Sequence, residues 1–286
     1  GTLLFIVFLT NKSFANAPIN SVGISIFHTV FNISCTAILL PFANILVKVS
    51  GMLMKESGED DDSDEVNHVL QHLDNRILES PTFAVENVVK EVVHLGDVTL
   101  DNVKRSINAM LENNEEDAKK VIEVENTIDK LVNLISEYLV KISNLSLSEK
   151  QHNVVNHMFY TISNIERVGD HAENLAELAL EKAKHNIQFT KSAQEELREM
   201  CNTSAAAFEN AIMARREMNV EYVRQVVKLE DKVDTLEDDL REKHIARLSQ
   251  NKCDSESGVI FIDALTNLER ISDHSLNVAN YVKDEL

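Results

Sequence analysis

Tryptophan is absent from this 286-residue sequence, and cysteine, proline and glycine are scarce, at three, three and seven residues. Cys35, Cys201 and Cys253 are odd in number and lack a CxxC spacing, which indicates neither a disulfide framework nor a thiolate zinc site. No proline follows Pro81, and apolar residues recur there at helical spacing, which predicts long helices. Because there is no tryptophan, we expect the core between these helices to be mainly aliphatic.

Basic residues are too few to form a face for nucleic acid. The chain has 28 Lys and Arg against 47 Asp and Glu, for a net charge of −19. Since a protein binds nucleic-acid phosphates through a basic surface, nucleic acid is not expected as a partner. The sequence also lacks a nucleophile motif, a glycine-rich phosphate loop and a zinc-hydrolase signature. We therefore do not expect an enzyme.

A long uncharged run near the start of the chain predicts a membrane segment. No Asp, Glu, Lys or Arg occurs from Ser13 to Val47, and residues 22–47 are mostly Ile, Phe, Leu, Val and Ala. A helix needs about 20 apolar residues to span a bilayer core, so we predict a transmembrane helix at 22–47; the alternative is a buried helix of a soluble domain. His28 and Asn32 share one face of this helix, where they would line a transport pathway or form hydrogen bonds between helices.

An acidic segment follows the apolar run. Residues 56–65 contain seven acids and no base, and such a run repels itself and stays solvated, so we predict a linker at 56–79. Lys48 and Lys55 favour a cytoplasmic location for the residues after the membrane segment. Because the sequence starts with an apolar stretch and no initiator Met, we expect the C-terminal part of a longer protein, with residues 1–55 as the end of its membrane domain.

An eight-residue phrase occurs twice, as NIERVGDH at 164–171 and NLERISDH at 267–274. A shorter phrase with Glu-x-x-x-Asp spacing precedes each copy, and equivalent glutamates recur after 105 and 103 residues in the two phrases. This period is too long for a solenoid repeat of about 20–50 residues and suits one small domain copied once. We predict an all-α fold in which residues 80–286 form two tandem three-helix bundles, repeat 1 at 80–187 and repeat 2 at 190–286.

The spacing Glu-x-x-x-Asp places both carboxylates on one helix face, and facing helices of a bundle would bring two such pairs together. Converging carboxylates repel one another unless a cation, a proton or an arginine offsets the charge. We therefore predict metal sites, with a structural network of Glu and Arg as the alternative. Oxygen ligands suit magnesium, manganese, calcium or iron. Arg167 and Arg270 are expected to serve neighbouring acids or a partner anion rather than the acids of their own phrase. The predicted metal ligands are Glu125, Asp129, Glu166, Asp170, Glu230, Asp234, Glu269 and Asp273.

Two details limit the chemistry of these phrases. His171 and His274 come five positions after the glutamate and lie off its face, so we expect them at the surface or at the edge of the core rather than as ligands. Di-iron bundles use Glu-x-x-His, but the third positions after the two glutamates hold Gly169 and Ser272. Di-iron oxidase chemistry is therefore not expected at these phrases.

The duplicated phrases, together with the Glu-x-x-x-Asp pairs upstream, resemble the PhoU family of phosphate-regulation proteins over about residues 80–286. The resemblance implies two similar three-helix bundles whose acidic motifs hold multinuclear metal clusters. Iron or zinc is the metal that the family implies, and the eight acids named above would be the ligands.

A second resemblance concerns the start of the chain. The segments FANAP at 14–18, FHTVFN at 27–32 and LLPF at 39–42 resemble the last membrane segment of the sodium/phosphate cotransporter family, whose Gln-Ser-Ser-rich repeats are absent here. This implies the C-terminal part of a multi-pass symporter for sodium and inorganic phosphate in the plasma (inner) membrane, with a cytoplasmic metal-binding regulatory domain. The alternative is a membrane-anchored adaptor that regulates phosphate uptake or signalling without transporting. Whether the chain forms a homo-oligomer or binds a phosphate-signalling protein stays open.

Overall fold

The computed structural model describes residues 28–34, 36, 64–250, 253 and 255–286, and the chain divides into two units, 1–61 and 62–286. In the first unit, residues 28–34 and 36 are helical, so that His28 and Asn32 lie one turn apart on a helix. The rest of the predicted membrane segment, 22–47, lies outside the described residues. Within the described ranges, no helix is both long enough and apolar enough to cross a bilayer.

The second unit begins inside the segment that was predicted to be a linker. Helix α1 spans Asp64–His72, and a 3-10 helix follows at Asn75–Glu79. Val66 and Val69 form a narrow apolar face of α1 and are 6% and 0% exposed. Residues 64–79 therefore belong to the folded unit and not to a solvated linker. Besides the two buried valines of α1, Leu73, Ile77 and Leu78 pack against the core of this unit, which the acidic composition of the segment conceals.

Six long helices make up the rest of the second unit. Their bounds are α2 Pro81–Glu112, α3 Glu115–Ser143, α4 Glu149–Lys184, α5 Lys191–Glu217, α6 Val220–Ser249 and α7 Ser255–Glu285. Local capping sets several of the starts: Pro81 occupies the first turn of α2, and the Asn114 side chain accepts hydrogen bonds from two backbone N–H groups of α3. Ser148 and Gln151 form a reciprocal capping box at the start of α4.

The long helices pack as two bundles. Helices α2, α3 and α4 form the first bundle and α5, α6 and α7 the second, while α4 lies against α7 and α2 against α5. The core is mostly Leu, Ile, Val and Ala, with Phe208 and Phe261 among its fully buried side chains. Burial of each such side chain contributes about 1.5–3 kcal/mol to folding. The all-α bundle fold predicted from the apolar periodicity is confirmed.

Candidate metal centres

Three of the predicted ligands converge where α6 packs against α7. Glu230 and Asp234 lie one turn apart on α6 and Asp273 reaches them from α7, with donor oxygens that all lie within 4.8 Å of one another. Glu230 and Asp273 are half-buried, and Asp234 is exposed. This cluster is termed the second pocket. Three carboxylates at such short separations form the kind of oxygen-rich site that a divalent cation stabilises.

Burial and mutual repulsion disfavour the ionised form of the acids in the second pocket. Burial first, and then Asp234, raises the pKa of Glu230. Burial and then Asp273 raise the pKa of Asp234. The fourth predicted ligand, Glu269, has a raised pKa for the same two reasons, although the Arg270 guanidinium opposes the shift. Because the repulsion is only partly offset, a cation in this pocket would gain favourable interactions with every one of these carboxylates.

The corresponding cluster between α3 and α4, termed the first pocket, centres on Glu125. This residue is 4% exposed, and neither of its carboxylate oxygens has a hydrogen-bond partner. Its pKa is raised to about 8, first by burial and then by the acids around it. Those acids, in order of effect, are Asp129, Asp170, Glu173 and Glu166. In the described part of the chain, the oxygens of this pocket do not form a group of three as tight as that of the second pocket.

Gly169 explains why Glu125 is so deeply buried. A Cβ atom at position 169 would lie 2.7 and 2.8 Å from the two carboxylate oxygens of Glu125, closer than a Cβ contact allows. The absent side chain of Gly169 therefore leaves the space that the carboxylate occupies. The equivalent residue of the second repeat is Ser272, which is fully buried, and the glutamate that corresponds to Glu125 there is Glu230, which is only half-buried. The repeat with glycine at this position thus has a buried glutamate, Glu125, and the repeat with serine has a half-buried one, Glu230.

Each arginine of the repeated phrase pairs with the aspartate of its own phrase. Arg167 donates to Asp170 at 3.2 Å, and Arg270 donates to Asp273 at 3.0 Å. The expectation that these arginines would point away from their own acids is therefore wrong, because a side chain three positions before the aspartate lies on a neighbouring part of the same helix surface. Each arginine also acts on the glutamate of its phrase: Arg270 Nε lies 3.4 Å from Glu269, and Arg167 opposes the rise in the pKa of Glu166. One positive charge per pocket cannot neutralise several carboxylates, so an arginine network accounts for only part of the charge.

The Asn and His of the repeated phrase join the two repeats. His171 Nδ1 lies 2.9 Å from Asn267 Oδ1, and His274 Nδ1 lies 3.0 Å from Asn164 Oδ1. The two imidazole rings stack with centroids 5.7 Å apart. Burial, followed by the neighbouring His171, lowers the pKa of His274. These reciprocal contacts hold α4 against α7, so the histidines lie at the seam between the repeats and not among the carboxylates.

Two acids near the pockets were missed by sequence reasoning. The pKa of Glu173 is raised mainly by burial and then by acids that include Asp170, and Glu237 contributes to the raised pKa of Glu269. A search for repeated acids could not find them, because the equivalent positions in the other repeat hold Leu276 and Val132. Helical spacing could have found both, since each comes seven positions, or about two turns, after a predicted glutamate.

The fold and the pockets define an all-helical protein built from a duplicated three-helix unit, with one acidic cluster in each unit. The family model for the PhoU domain matches residues 92–179 and again 197–282, together more than half of the chain. The chain belongs to the PhoU domain family. This confirms the PhoU resemblance, whereas the resemblance of the first segment to sodium/phosphate cotransporters stays a prediction.

Some relatives are similar in length to the PhoU part of this chain, and others are about twice as long as the part that aligns. The phosphate-specific transport system accessory protein PhoU homolog 1 of Thermotoga maritima is 26% identical over 195 residues, which cover 68% of this chain and 82% of that protein. An Escherichia coli protein named "Putative inorganic phosphate export protein YjbB" is 20% identical over 261 residues. That alignment covers 91% of this chain but 47% of the relative, so the chain spans about half the length of that protein.

Solved structures of similar fold are also PhoU proteins. PhoU from Pseudomonas aeruginosa superposes with a TM-score of 0.66 at 20% identity, covering 71% of this chain and 96% of that chain. The phosphate transport system regulatory protein PhoU from Streptococcus pneumoniae gives a TM-score of 0.66 at 17% identity, with 72% and 96% covered. At these identities the two structures establish the fold.

Proposed function

We propose that this chain is the C-terminal part of a sodium-coupled phosphate transporter of the inner membrane, and that residues 64–286 are its cytoplasmic regulatory domain. In this proposal, metal in the two acidic pockets controls the domain. The observation that carries the proposal is the second pocket, where Glu230, Asp234 and Asp273 place their oxygens within 4.8 Å of one another across two helices. A cation held there would cross-link α6 and α7 and fix the surface that they present.

The donor set favours hard or borderline divalent ions. Carboxylate oxygens suit magnesium and manganese, and iron or zinc also accept them. In the first pocket Glu125, Asp129, Glu166 and Asp170 would hold the ion, and the buried oxygens of Glu125 that lack hydrogen-bond partners fit this role. The metal would supply positive charge that offsets the repulsion among these acids. Both pockets therefore serve a structural and regulatory function in this proposal.

The link to transport is supported by the longer relative. The alignment with YjbB covers 91% of the present chain, including residues before the PhoU domain, and the name of YjbB refers to phosphate export. A PhoU-like domain joined to a transport segment would regulate the transporter to which it is attached. The sodium-coupled uptake implied by the sequence resemblance and the export in the relative's name differ in direction, so a transport assay must measure both.

A second candidate function is that of an adaptor that acts on a separate phosphate transporter or signalling protein. The observation that favours it is the Thermotoga maritima relative, which is named an accessory protein and of which this chain covers 82%. Under this candidate, residues 64–286 would bind metal in the same way, but phosphate movement would depend on a second protein.

Metal binding is tested by titrating the chelator-treated full chain with Mn²⁺ in a calorimeter. The variant Glu230→Gln/Asp273→Asn should lose one class of bound ion because two of the three converging carboxylates are neutral. The matched control is Glu242→Gln/Asp284→Asn, which neutralises exposed acids on the same two helices and should bind as the wild type does. Equal heats in all three proteins would contradict a metal site in the second pocket.

Control of transport is tested with radiolabelled phosphate in cells that express the complete protein from its gene. Uptake and efflux are each measured with sodium and with choline as the external cation, for the wild type and for Glu230→Gln/Asp273→Asn. The proposal expects sodium-dependent phosphate movement that the variant alters. Phosphate movement that requires a second protein would support the adaptor, and movement that is identical in wild type and variant would contradict metal-dependent regulation.

A further inference from the structure

Three histidines and two glutamates gather where α1 packs against α2, and they share no residue with the two acidic pockets. This histidine cluster consists of Glu65, His68 and His72 on α1 with Glu91 and His94 on α2. Its centre is formed by His68, His72 and Glu91, whose donor atoms all lie within 4.8 Å of one another. Two imidazoles and a carboxylate form a mixed nitrogen and oxygen donor set, unlike the carboxylates of the pockets.

Glu91 is the buried member of the cluster. Its side chain is 5% exposed, and its Oε2 atom makes no hydrogen bond, although it faces His68 Nδ1 at 3.8 Å. A buried carboxylate oxygen without a hydrogen-bond partner destabilises the folded protein. A cation beside Oε2 would offset this destabilisation. The two histidines are about half exposed, at 48% and 50%, so an ion can reach the site from solvent.

The separations between donor atoms fit a single transition-metal ion. His72 Nδ1 lies 3.0 Å from Glu91 Oε1, and His68 Nδ1 lies 3.8 Å from Glu91 Oε2. Ligands of tetrahedral zinc, bound at about 2.0–2.1 Å, lie about 3.3–3.5 Å from one another. The two nitrogen–oxygen separations, each to a different oxygen of Glu91, lie on either side of that value, and the three donor atoms are all within 4.8 Å of one another. His68 and His72 are four positions apart on α1, so that one helix face presents both rings.

A second pair supports the geometry of the first. His94 Nε2 lies 2.7 Å from Glu65 Oε2, and the His94 ring is 4.8 Å from the His68 ring. The sequence thus holds Glu-x-x-His twice, on α1 and on α2, and the Glu of each helix pairs with a His of the other. Glu65 fixes the ring of His94, and that ring packs against His68. The pair therefore limits the positions that the His68 ring can take.

We infer that His68, His72 and Glu91 form a binding site for one zinc-class divalent ion that joins α1 to α2. Imidazole nitrogen with carboxylate oxygen selects zinc and similar transition ions over magnesium and calcium, which prefer oxygen alone. The three ligands lie outside the ranges 92–179 and 197–282 that the PhoU domain model matches. Since α1 is a short helix at the start of the folded unit and its buried apolar side chains are Val66 and Val69, bound metal would strengthen the docking of that helix.

The test uses the chelator-treated full chain, titrated with ZnCl₂ in excess MgCl₂. The variant His68→Gln/His72→Gln should bind one Zn²⁺ fewer per chain than the wild type. The matched control His152→Gln/His185→Gln removes two exposed imidazoles, one on α4 and one directly after it, and should lose none. With Co²⁺ as the probe, the visible absorption of cobalt bound by nitrogen should fall in the first variant and persist in the control.

Hydrogen exchange of residues 64–72 in the wild type provides a measurement that does not depend on how the variant folds. In the wild type, addition of Zn²⁺ should slow amide exchange in α1, and subsequent addition of a chelator should restore the faster rate in the same folded sample. His68→Gln/His72→Gln should show the faster rate with and without Zn²⁺. The inference is overturned if the two proteins bind the same number of Zn²⁺ ions, or if Zn²⁺ leaves the exchange of α1 in the wild type unchanged.

Discussion

Substitution of Glu125 by glutamine should make the metal-free protein more stable at alkaline pH. The Glu125 carboxyl has an ordinary pKa of 4.5, and burial with the surrounding acids raises it to about 8 in the folded protein. Between these two pH values the folded protein holds one proton more than the unfolded chain. The free energy of unfolding of the wild type therefore falls as the pH rises through this window. Glutamine is neutral at every pH, so the Glu125→Gln variant should not lose stability in this way as the pH rises.

The size of the effect can be calculated from the shift in pKa. Each unit corresponds to about 1.4 kcal/mol, so the interval from 4.5 to about 8 amounts to about 5 kcal/mol at full ionisation. At pH 5 the carboxyl is almost fully protonated in the folded protein, and the two proteins should differ little. At pH 9 the variant should be several kcal/mol more stable, which for a domain of this size raises the Tm by about 2–4 °C for each kcal/mol.

Urea unfolding in EDTA, repeated from pH 5 to pH 9, measures the difference directly. Glu137→Gln is the matched control, because Glu137 is an exposed glutamate on the same helix, and its curve should run parallel to that of the wild type. Addition of Mn²⁺ at pH 9 should stabilise the wild type more than Glu125→Gln, since a cation favours the ionised carboxylate. If Glu125→Gln also runs parallel to the wild type in EDTA, Glu125 ionises normally and the reasoning fails.

Two further substitutions test the packing around these groups. Gly169→Ala should leave the free energy of unfolding nearly unchanged, because alanine stabilises a helix by about 1 kcal/mol relative to glycine while the new Cβ displaces the Glu125 carboxylate. Calorimetry should show weaker metal binding in the first pocket. Arg215 donates to both Glu285 oxygens at 2.7 and 2.9 Å, and the side chains of Arg215 and Glu285 are 1% and 6% exposed. Glu285→Gln should lower the free energy of unfolding, measured in urea, by about 3–5 kcal/mol, because it leaves the buried Arg215 without its charge partner.

Each of these two substitutions has a matched control elsewhere in the chain. Ser272→Ala changes the position equivalent to Gly169 without adding a Cβ, so metal binding in the second pocket should persist. Glu209→Gln breaks an exposed ion pair with Lys104 and should cost less than about 1 kcal/mol. Equal metal affinity of the first pocket in Gly169→Ala and wild type, or equal losses of stability for Glu285→Gln and Glu209→Gln, would contradict the roles assigned to Gly169 and Glu285.

Features that depend on local spacing could be predicted from the sequence. Capping-box spacing occurs at Ser148 and Gln151 and again at Ser192 and Glu195. The structure contains the first box, whereas α5 begins two residues earlier than the second spacing predicts and is capped by Thr190. The apolar periodicity likewise indicates the long helices, and the repeated phrases indicate the duplication. Features that depend on long-range packing could not be predicted. The acidic composition of the predicted linker concealed α1, whose docking rests on Val66 and Val69, and Glu91 meets the histidines of α1 only after two helices have packed together.

Identical motifs also acquired different environments, which spacing alone could not reveal. Glu125 and Glu230 begin equivalent Glu-x-x-x-Asp pairs, yet the first is 4% exposed with a pKa of about 8 and the second is half-buried. The free energy of ionising a carboxylate depends on its burial and on its neighbours. The charged neighbour with the largest effect is on the glutamate's own helix in both repeats, Asp129 for Glu125 and Asp234 for Glu230. The facing helix differs between the repeats, with Gly169 in one and Ser272 in the other.

The length of the repeated phrase has a physical reason in the structure. Asn164 and His171 are seven positions apart and lie on nearly the same side of α4, whereas Glu166 and Asp170 lie on a different side, since two positions turn a helix by about 200°. One side meets α7 through the reciprocal Asn–His contacts, and the other faces the first pocket. The same two turns of helix thus form both the seam between the repeats and half of an acidic pocket. If a cation bound in the first pocket as proposed and shifted α4, the same shift would move the residues of the seam.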